Sequence, residues 1–231
     1  MFKIETHLHT IYTSACAIIS AKEIVEGYLS AGYSGVIVTD HYNRDTFRYL
    51  SMDTSAGLEK VDAFLTGYKM VKEEGEKRGL KVYRGAEVRF DGSWNDYLLY
   101  GYCDEMLADP EAVFTMGVEA FYEKCKENGA LLIHAHPYRN GGSPTTPKAL
   151  DGVEILNANY DHQERNDLAL AFARQHGLIE TAGSDCHGPK QVGKAGIVVE
   201  SLPENEEELV TMLRRGAYHL FENRDRRENH A

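Results

Sequence analysis

MFKIETHLH, residues 1–9, runs from a short apolar segment, Phe2 to Ile4, into His7-Leu8-His9. In an extended strand, residues two apart point to one face. His7 and His9 therefore aim two imidazoles at one point, where the strand ends. Imidazole is a common ligand for zinc, iron and manganese. Alone, the pair also fits two plain loop histidines near a terminus. The rest of the chain decides the matter, because the same device recurs.

A strand over Ala130 to Ile133 runs into His134-Ala135-His136-Pro137, and one over Leu178 to Ala182 runs into Gly183-Ser184-Asp185-Cys186-His187. Both repeat the two-apart spacing. The β-branched run Gly35 to Val38 ends in Thr39-Asp40-His41, and Leu80 to Tyr83 closes on Gly85-Ala86-Glu87. Further strands are predicted at Tyr97 to Tyr102, at Gly152 to Leu156 (entering Asn157-Ala158-Asn159) and at Ala195 to Val199. Between them lie helix patterns. Ser20 to Ala31 has a capping box, Ser20 with Glu23, and Gly32 stops it. Gly57 to Arg78 reads as one helix, with Leu58, Val61, Leu65, Tyr68 and Val71 on its buried stripe. Pro110 to Asn128, Gln163 to His176 and Glu204 to Arg215 are the others. Asn43 to Ser55 and the Gly/Pro-rich residues 139–147 read as loops. Strand and helix alternate about seven times, which predicts an α/β fold of parallel strands with crossover helices. No linker or repeat interrupts it. A single domain is expected over 1–221, with a charged, frayed tail at 222–231.

The formal net charge is −11, a surface that repels nucleic-acid phosphates and argues against duplex binding. No apolar run approaches the roughly 18 residues of a membrane span, and no signal-peptide pattern opens the chain. A cytoplasmic protein is expected. The four cysteines, Cys16, Cys103, Cys125 and Cys186, show no C-x-x-C pair and read as reduced thiols.

Histidines and carboxylates thus gather at the C-terminal ends of predicted strands, where α/β barrels form their active sites. Three spaced pairs from distant parts of the chain, with Asp40-His41 and Glu87, point to one metal site. The set His7-Leu8-His9-Thr10, Thr39-Asp40-His41, Glu87, Ala135-His136-Pro137 and Ser184-Asp185-Cys186-His187 resembles the PHP (polymerase and histidinol phosphatase) domain over nearly the whole chain. The resemblance implies a distorted seven-stranded (β/α) TIM-like barrel, two or three divalent metals (Zn, Mn or Fe) and phosphoester hydrolysis. By position it implies His7, His9, Glu87 and Asp185 at one metal. Glu87 would bridge to a second metal with His136, and His41 and His187 would serve a third. Asp40 would orient an imidazole from behind. His134 faces the same way if its strand persists, and otherwise is a hydrogen-bonded core histidine.

Two positions depart from the family pattern. Asp96 stands where many members place a histidine for the second metal; it reads as a hard oxygen ligand or as a loop residue. Ala15 stands where many relatives carry a third-metal ligand, with Cys16 beside it as the candidate thiolate donor. Arg139 is the candidate phosphate clamp, with an ordinary surface arginine as its other reading. Arg89 and Lys190 are further candidates near the rim. Asn157 and Asn159 are candidates for the substrate side, and Cys186 reads as packing. The expected reaction is metal-assisted in-line attack of a water-derived nucleophile on phosphorus. Asp185 or His187 would hand a proton to the leaving oxygen, and Arg139 would steady the phosphoryl charge. The expected substrate is a small phosphorylated molecule; histidinol phosphate, nucleotides and phosphotyrosine all occur within the resembled family. A metal-binding regulatory module without turnover is the alternative from another class. A nuclease beside a polymerase fits least, given the charge.

Overall fold

The structure, a computed structural model, describes residues 1–223. Its strands are β1 (Phe2–Leu8), β2 (Gly35–Val38), β3 (His41–Tyr42), β4 (Lys81–Arg89), β5 (Asp96–Tyr100), β6 (Leu131–His134), β7 (Gly152–Asn157), β8 (Ile179–Gly183), β9 (Ala195–Val199) and β10 (His219–Glu222). The helices are α1 (Ala21–Ser30), α2 (Arg44–Tyr49), α3 (Leu58–Phe64), α4 (Thr66–Arg78), α5 (Pro110–Asn128), α6 (Asn166–His176) and α7 (Glu206–Arg215). One sheet runs in the order β10-β9-β1-β2-β4-β5-β6-β7-β8, with β3 beside β4. Its curve nearly closes where β8 meets β1. Leu8 pairs with Cys186, His9 N donates to the Cys186 carbonyl at 2.9 Å, and Thr6 Oγ1 donates to the Ala182 carbonyl at 2.7 Å. This is the expected α/β barrel-like architecture.

Its strands are less uniform than expected. β5 runs antiparallel to both β4 and β6, and β9 is antiparallel to β1 and β10. The reversal matters for the site. A parallel strand brings its last residues to the rim; β5 brings its first, so Asp96 pairs with Arg89 at the end of β4.

Packing follows the apolar pattern. Ile4, Ile37, Tyr83, Tyr100, Leu131 and Ile133 meet on the concave side, where Leu209 and Leu213 of α7 join them. Outside, Leu8, Val36 and Val38 pack on Ile24, Val25 and Tyr28 of α1. Ala86, Val88, Tyr97 and Leu99 pack towards Phe114 and Phe121 of α5. The capping box forms as expected: Ser20 accepts from Glu23 N, and Glu23 accepts from Ser20 N.

Four readings need correction. The loop expected from Asn43 to Ser55 contains α2, whose N-terminus Asn43 caps through Thr46 N; six residues are too few to show a helical period. The single helix expected over Gly57 to Arg78 breaks at Leu65 into α3 and α4, and Leu58 of its stripe is exposed. Strand β10 was not foreseen. Of the tail expected at 222–231, Glu222 belongs to β10 and Asn223 N donates to the Lys194 carbonyl; residues 224–231 lie outside the described residues.

Candidate metal centre

β1 does not alternate evenly. Its register with β2 shifts between Glu5 and Leu8, and such a bulge re-aims side chains. Ile4 lies on the concave side, yet so do His7 and His9, while Glu5 turns outward to α1. There the buried Glu5 carboxylate accepts from the backbone N–H groups of Thr6, His7 and Ser184 and from the Tyr28 hydroxyl, at 2.9–3.0 Å. It thereby ties the His7 end of β1 to the Ser184 end of β8. Burial pushes its pKa up to about 7, against those hydrogen bonds.

Glu87, at zero exposure, is the hub of the rim. Its carboxylate oxygens lie 3.3 Å from His7 Nε2, 3.4 Å from His9 Nε2, 2.7 Å from His41 Nδ1 and 3.1 Å from His136 Nε2. Asp185 Oδ1 lies 3.3 Å from His7 Nε2, His9 Nε2 and His187 Nδ1. Despite these short separations, His41 Nδ1, Glu87 Oε2 and Asp185 Oδ1 have no partner in hydrogen-bond geometry among the described residues. Buried polar atoms are normally paired. These converge on common points without bonding one another, as donors around a cation do. Four sets bring their donor atoms within 4.8 Å of each other: His7, His9 and Asp185; His7, Glu87 and His136; His9, His41 and His187; and His41, Glu87 and Asp96. The nitrogen and oxygen donors suit divalent zinc, manganese or iron.

The groups behind the ligands fix which nitrogen faces inward. His7 Nδ1 donates to Glu154 Oε1 at 3.0 Å, leaving Nε2 as the inward lone pair. Glu154 Oε2 in turn accepts from Asn157 Nδ2 and from His136 N. Behind His9 stands Ser14, whose hydroxyl lies 3.4 Å from Nδ1, accepts from His41 N and donates to Asp40 Oδ1 at 2.7 Å. Asp40 thus touches no imidazole, as had been expected of it; it braces the Thr10–Ser14 turn and acts through Ser14. Burial pushes Asp40 up to about 6. Two residues of these donor sets, His136 (φ 32°) and Asp185 (φ 48°), adopt left-handed backbone, a strain that clusters at functional sites.

Electrostatics follows the arrangement. Burial opposes ionisation of Glu87, but His41 and His7 outweigh it and hold the carboxyl well below its usual range. Asp185 is held low against burial by His7 and Arg139. Burial, with His187 and His41 nearby, drives His9 well below the ordinary imidazole value. The thiol of Cys16, an exposed residue, is lowered to about 6 by hydrogen bonds with His187 and His41, against the desolvation around its sulfur.

Other expected residues fall on both sides of the boundary. An open cavity of about 770 Å³ faces the cluster, lined by His41, His136, His187, Cys16, Arg89 and Arg139. Arg139 is neither a free clamp nor a surface arginine: Nε donates to Glu164 at 2.5 Å and Nη2 to Asp185 Oδ2. Arg89 grips both Asp96 oxygens at 2.6 Å. Asn159 lines the cavity, whereas Asn157 is buried behind it on Glu154. Lys190 is exposed and outside the cavity lining. His134 stacks on Tyr97, receives the Thr145 N–H at 3.5 Å and joins none of the donor sets; burial and His136 push it down to about 3. Cys186 is buried packing, donating to the Gly188 carbonyl.

Sequence reading missed Glu5 and Glu154. Glu154→Gln keeps shape and removes the charge behind His7; metal affinity is expected to fall roughly 10–100-fold with the melting temperature nearly kept, measured by competition with a chromophoric chelator.

Residues 163–218 match the PHP-associated family model. A two-domain protein from Bacteroides vulgatus containing a predicted PHP-like metal-dependent phosphoesterase superposes with a TM-score of 0.67 at 14% identity, over 96% of this chain and 65% of that one. The chain shares the fold of that PHP-like protein. PsfC from Pseudomonas syringae (TM-score 0.66, 16% identity) is covered over 93% of its length by 97% of this chain. The lesion-specific endonuclease PfuEndoQ from Pyrococcus furiosus (TM-score 0.60, 16% identity) is matched by 95% of this chain over 57% of its own length. No curated protein matches the sequence. No helix among the described residues is long and apolar enough to cross a membrane.

Proposed function

We propose that this PHP-type chain is a metal-dependent phosphoesterase acting on a small phosphorylated molecule. The observation that carries the reading is the convergence of five histidines with Glu87 and Asp185 beside an open cavity that His41, His136 and His187 line, with two buried oxygens left unbonded. His7, His9 and Asp185 form one ligand set, Glu87 and His136 with His7 a second, and His9, His41 and His187 a third, with Cys16 at its edge. Divalent cations held there would polarise phosphoryl oxygens and lower the pKa of water.

The remaining steps fall to the chain's own residues. Arg139 has five N–H donors. Glu164 and Asp185 fix its plane through Nε and Nη2, which leaves Nη1 for a phosphoryl oxygen. Arg89, held by Asp96, adds a second guanidinium to the cavity lining. Where the third set holds no cation, His187, partly exposed at the rim, would carry a proton to the leaving oxygen.

The test is a panel of phosphate esters assayed with Mn, Zn or Fe supplied, together with elemental analysis. The expected result is at least two metal equivalents per chain and phosphate release that a chelator abolishes and metal restores. Metal below one equivalent after reconstitution overturns the reading. Full metal loading without turnover on any ester would favour a regulatory module instead.

A further inference from the structure

Trp94, the only tryptophan in the chain, is 92% exposed. Its indole has no hydrogen bond or ring partner among the described residues, so the fold gains nothing evident from it. A large apolar side chain left bare is informative when it stands at a site. Trp94 lines the mouth of the metal cavity with Arg89, Asn95 and His41. It also lines an adjoining groove with Arg44 and Arg48, so it stands at the boundary of two open spaces.

The loop that carries Trp94 is fastened on both sides. Asp91 N donates to the Phe114 carbonyl at 2.8 Å, and both Asp91 oxygens accept from Arg44, which also grips Glu111. Gly92, at φ 73°, makes the turn. Beyond the tryptophan, Asn95 N donates to Ser93 Oγ at 3.0 Å and Asn95 Nδ2 to the Ser143 carbonyl at 3.3 Å. The next residue, Asp96, is locked by Arg89 in the wall of the site. Exposed indole on a braced loop is a preorganised face, whose ordering is already complete before a ligand arrives.

From this placement we propose that Trp94 is a stacking platform for a flat ring in the alcohol portion of the substrate. It would select phosphoesters bearing a nucleobase or aryl group over aliphatic ones. The proposal rests on the phosphoesterase reading for its kinetic consequence, but not for its binding consequence. An indole face stacks on any flat π system, so the platform fixes the presence of a ring and leaves its identity to other contacts. The phosphate would sit at the metal end with Arg139, and the ring at the mouth.

The single tryptophan makes the test direct. Excited at the red edge of the indole band, the protein reports on Trp94 alone. Adenosine monophosphate and phenyl phosphate are titrated against glycerol phosphate and inorganic phosphate, each with metal present. Quenching by the two ring compounds and none by the other two is the expected result; a response to only one of the two identifies the ring. In parallel, Trp94→Ala should raise KM for ring-bearing esters about 5- to 100-fold, leave kcat and the aliphatic esters within about twofold, and keep the melting temperature. Trp94→Phe should recover part of the loss. Equal responses to ring and aliphatic compounds, or unchanged kinetics in Trp94→Ala while the wild type hydrolyses esters, overturn the platform and leave the phosphoesterase reading standing. If the wild type hydrolyses nothing, that reading fails, and the fluorescence titration still decides the platform.

Discussion

Glu87→Gln is expected to lose about 10³-fold or more in phosphoesterase turnover, because this carboxylate serves more ligand sets than any other acid in the site. It is fully buried and lies within 3.4 Å of the imidazoles of His7, His9, His41 and His136. Two of the four donor sets contain it. An amide has nearly the same shape but only one oxygen and no charge. The NH₂ group would point a donor at nitrogen atoms that must remain unprotonated to bind a cation. The substitution therefore removes charge and presents a wrong polarity at once. Outer groups alone are worth roughly 10–100-fold in metal affinity or activity, and a central ligand exceeds them. The measurement is phosphate release and metal content on the same preparation, with circular dichroism to show the fold is kept. Metal content should drop by at least half. A variant that retains full metal and turnover would remove Glu87 from the centre of the site.

The legibility of this fold divides along a physical line. His7/His9, His134/His136 and Asp185/His187 could be read because each pair sits at the end of an apolar strand, where the period of two is a local property. The ends of β1, β4, β6 and β8 were therefore visible, and so was the alternation with helices. Roles set by tertiary geometry were not. Glu154 is the third residue of β7 and looks like any strand position; only the approach of β1 makes it the partner of His7. Glu5 shares its parity with His7 and His9, so simple alternation would place it among them. The register shift in β1 turns it outward to Tyr28 instead. Asp96 had two readings because the direction of β5 is not written in its sequence. Antiparallel pairing brings it to the rim beside Arg89, close enough to His41 and Glu87 to share a donor set and bound by both oxygens to arginine. Arg139 had two readings for the same reason: Glu164 and Asp185, which hold it, are 25 and 46 residues away.

That dependence on strand approach leads to a residue with no functional group. Gly183 ends β8 where it meets β1. A Cβ there would lie 2.5 Å from His7 Cβ and 2.8 Å from Glu154 Oε1, with His7 N at 3.2 Å. Two of these three contacts are with atoms on or next to the β1 backbone, so no side-chain rotation relieves them. Gly183→Ala must push β1 from β8 or drive Glu154 off His7, and each movement shifts a member of the donor sets. Overpacking of this kind typically costs about 1–3 kcal/mol. For a chain of this length, that lowers the melting temperature by about 2–12 °C. Misplacing His7 by an ångström would cost a further hundredfold or so in rate. Glu154→Gln is the useful comparison, since it weakens metal binding while keeping the strands in contact. The measurement is thermal unfolding of both variants with and without metal, alongside phosphate release. Gly183→Ala should melt earlier than Glu154→Gln and recover less activity when metal is supplied in excess. If it melts and turns over like the wild type, β1 and β8 have slack at this point, and the close approach is not what positions His7.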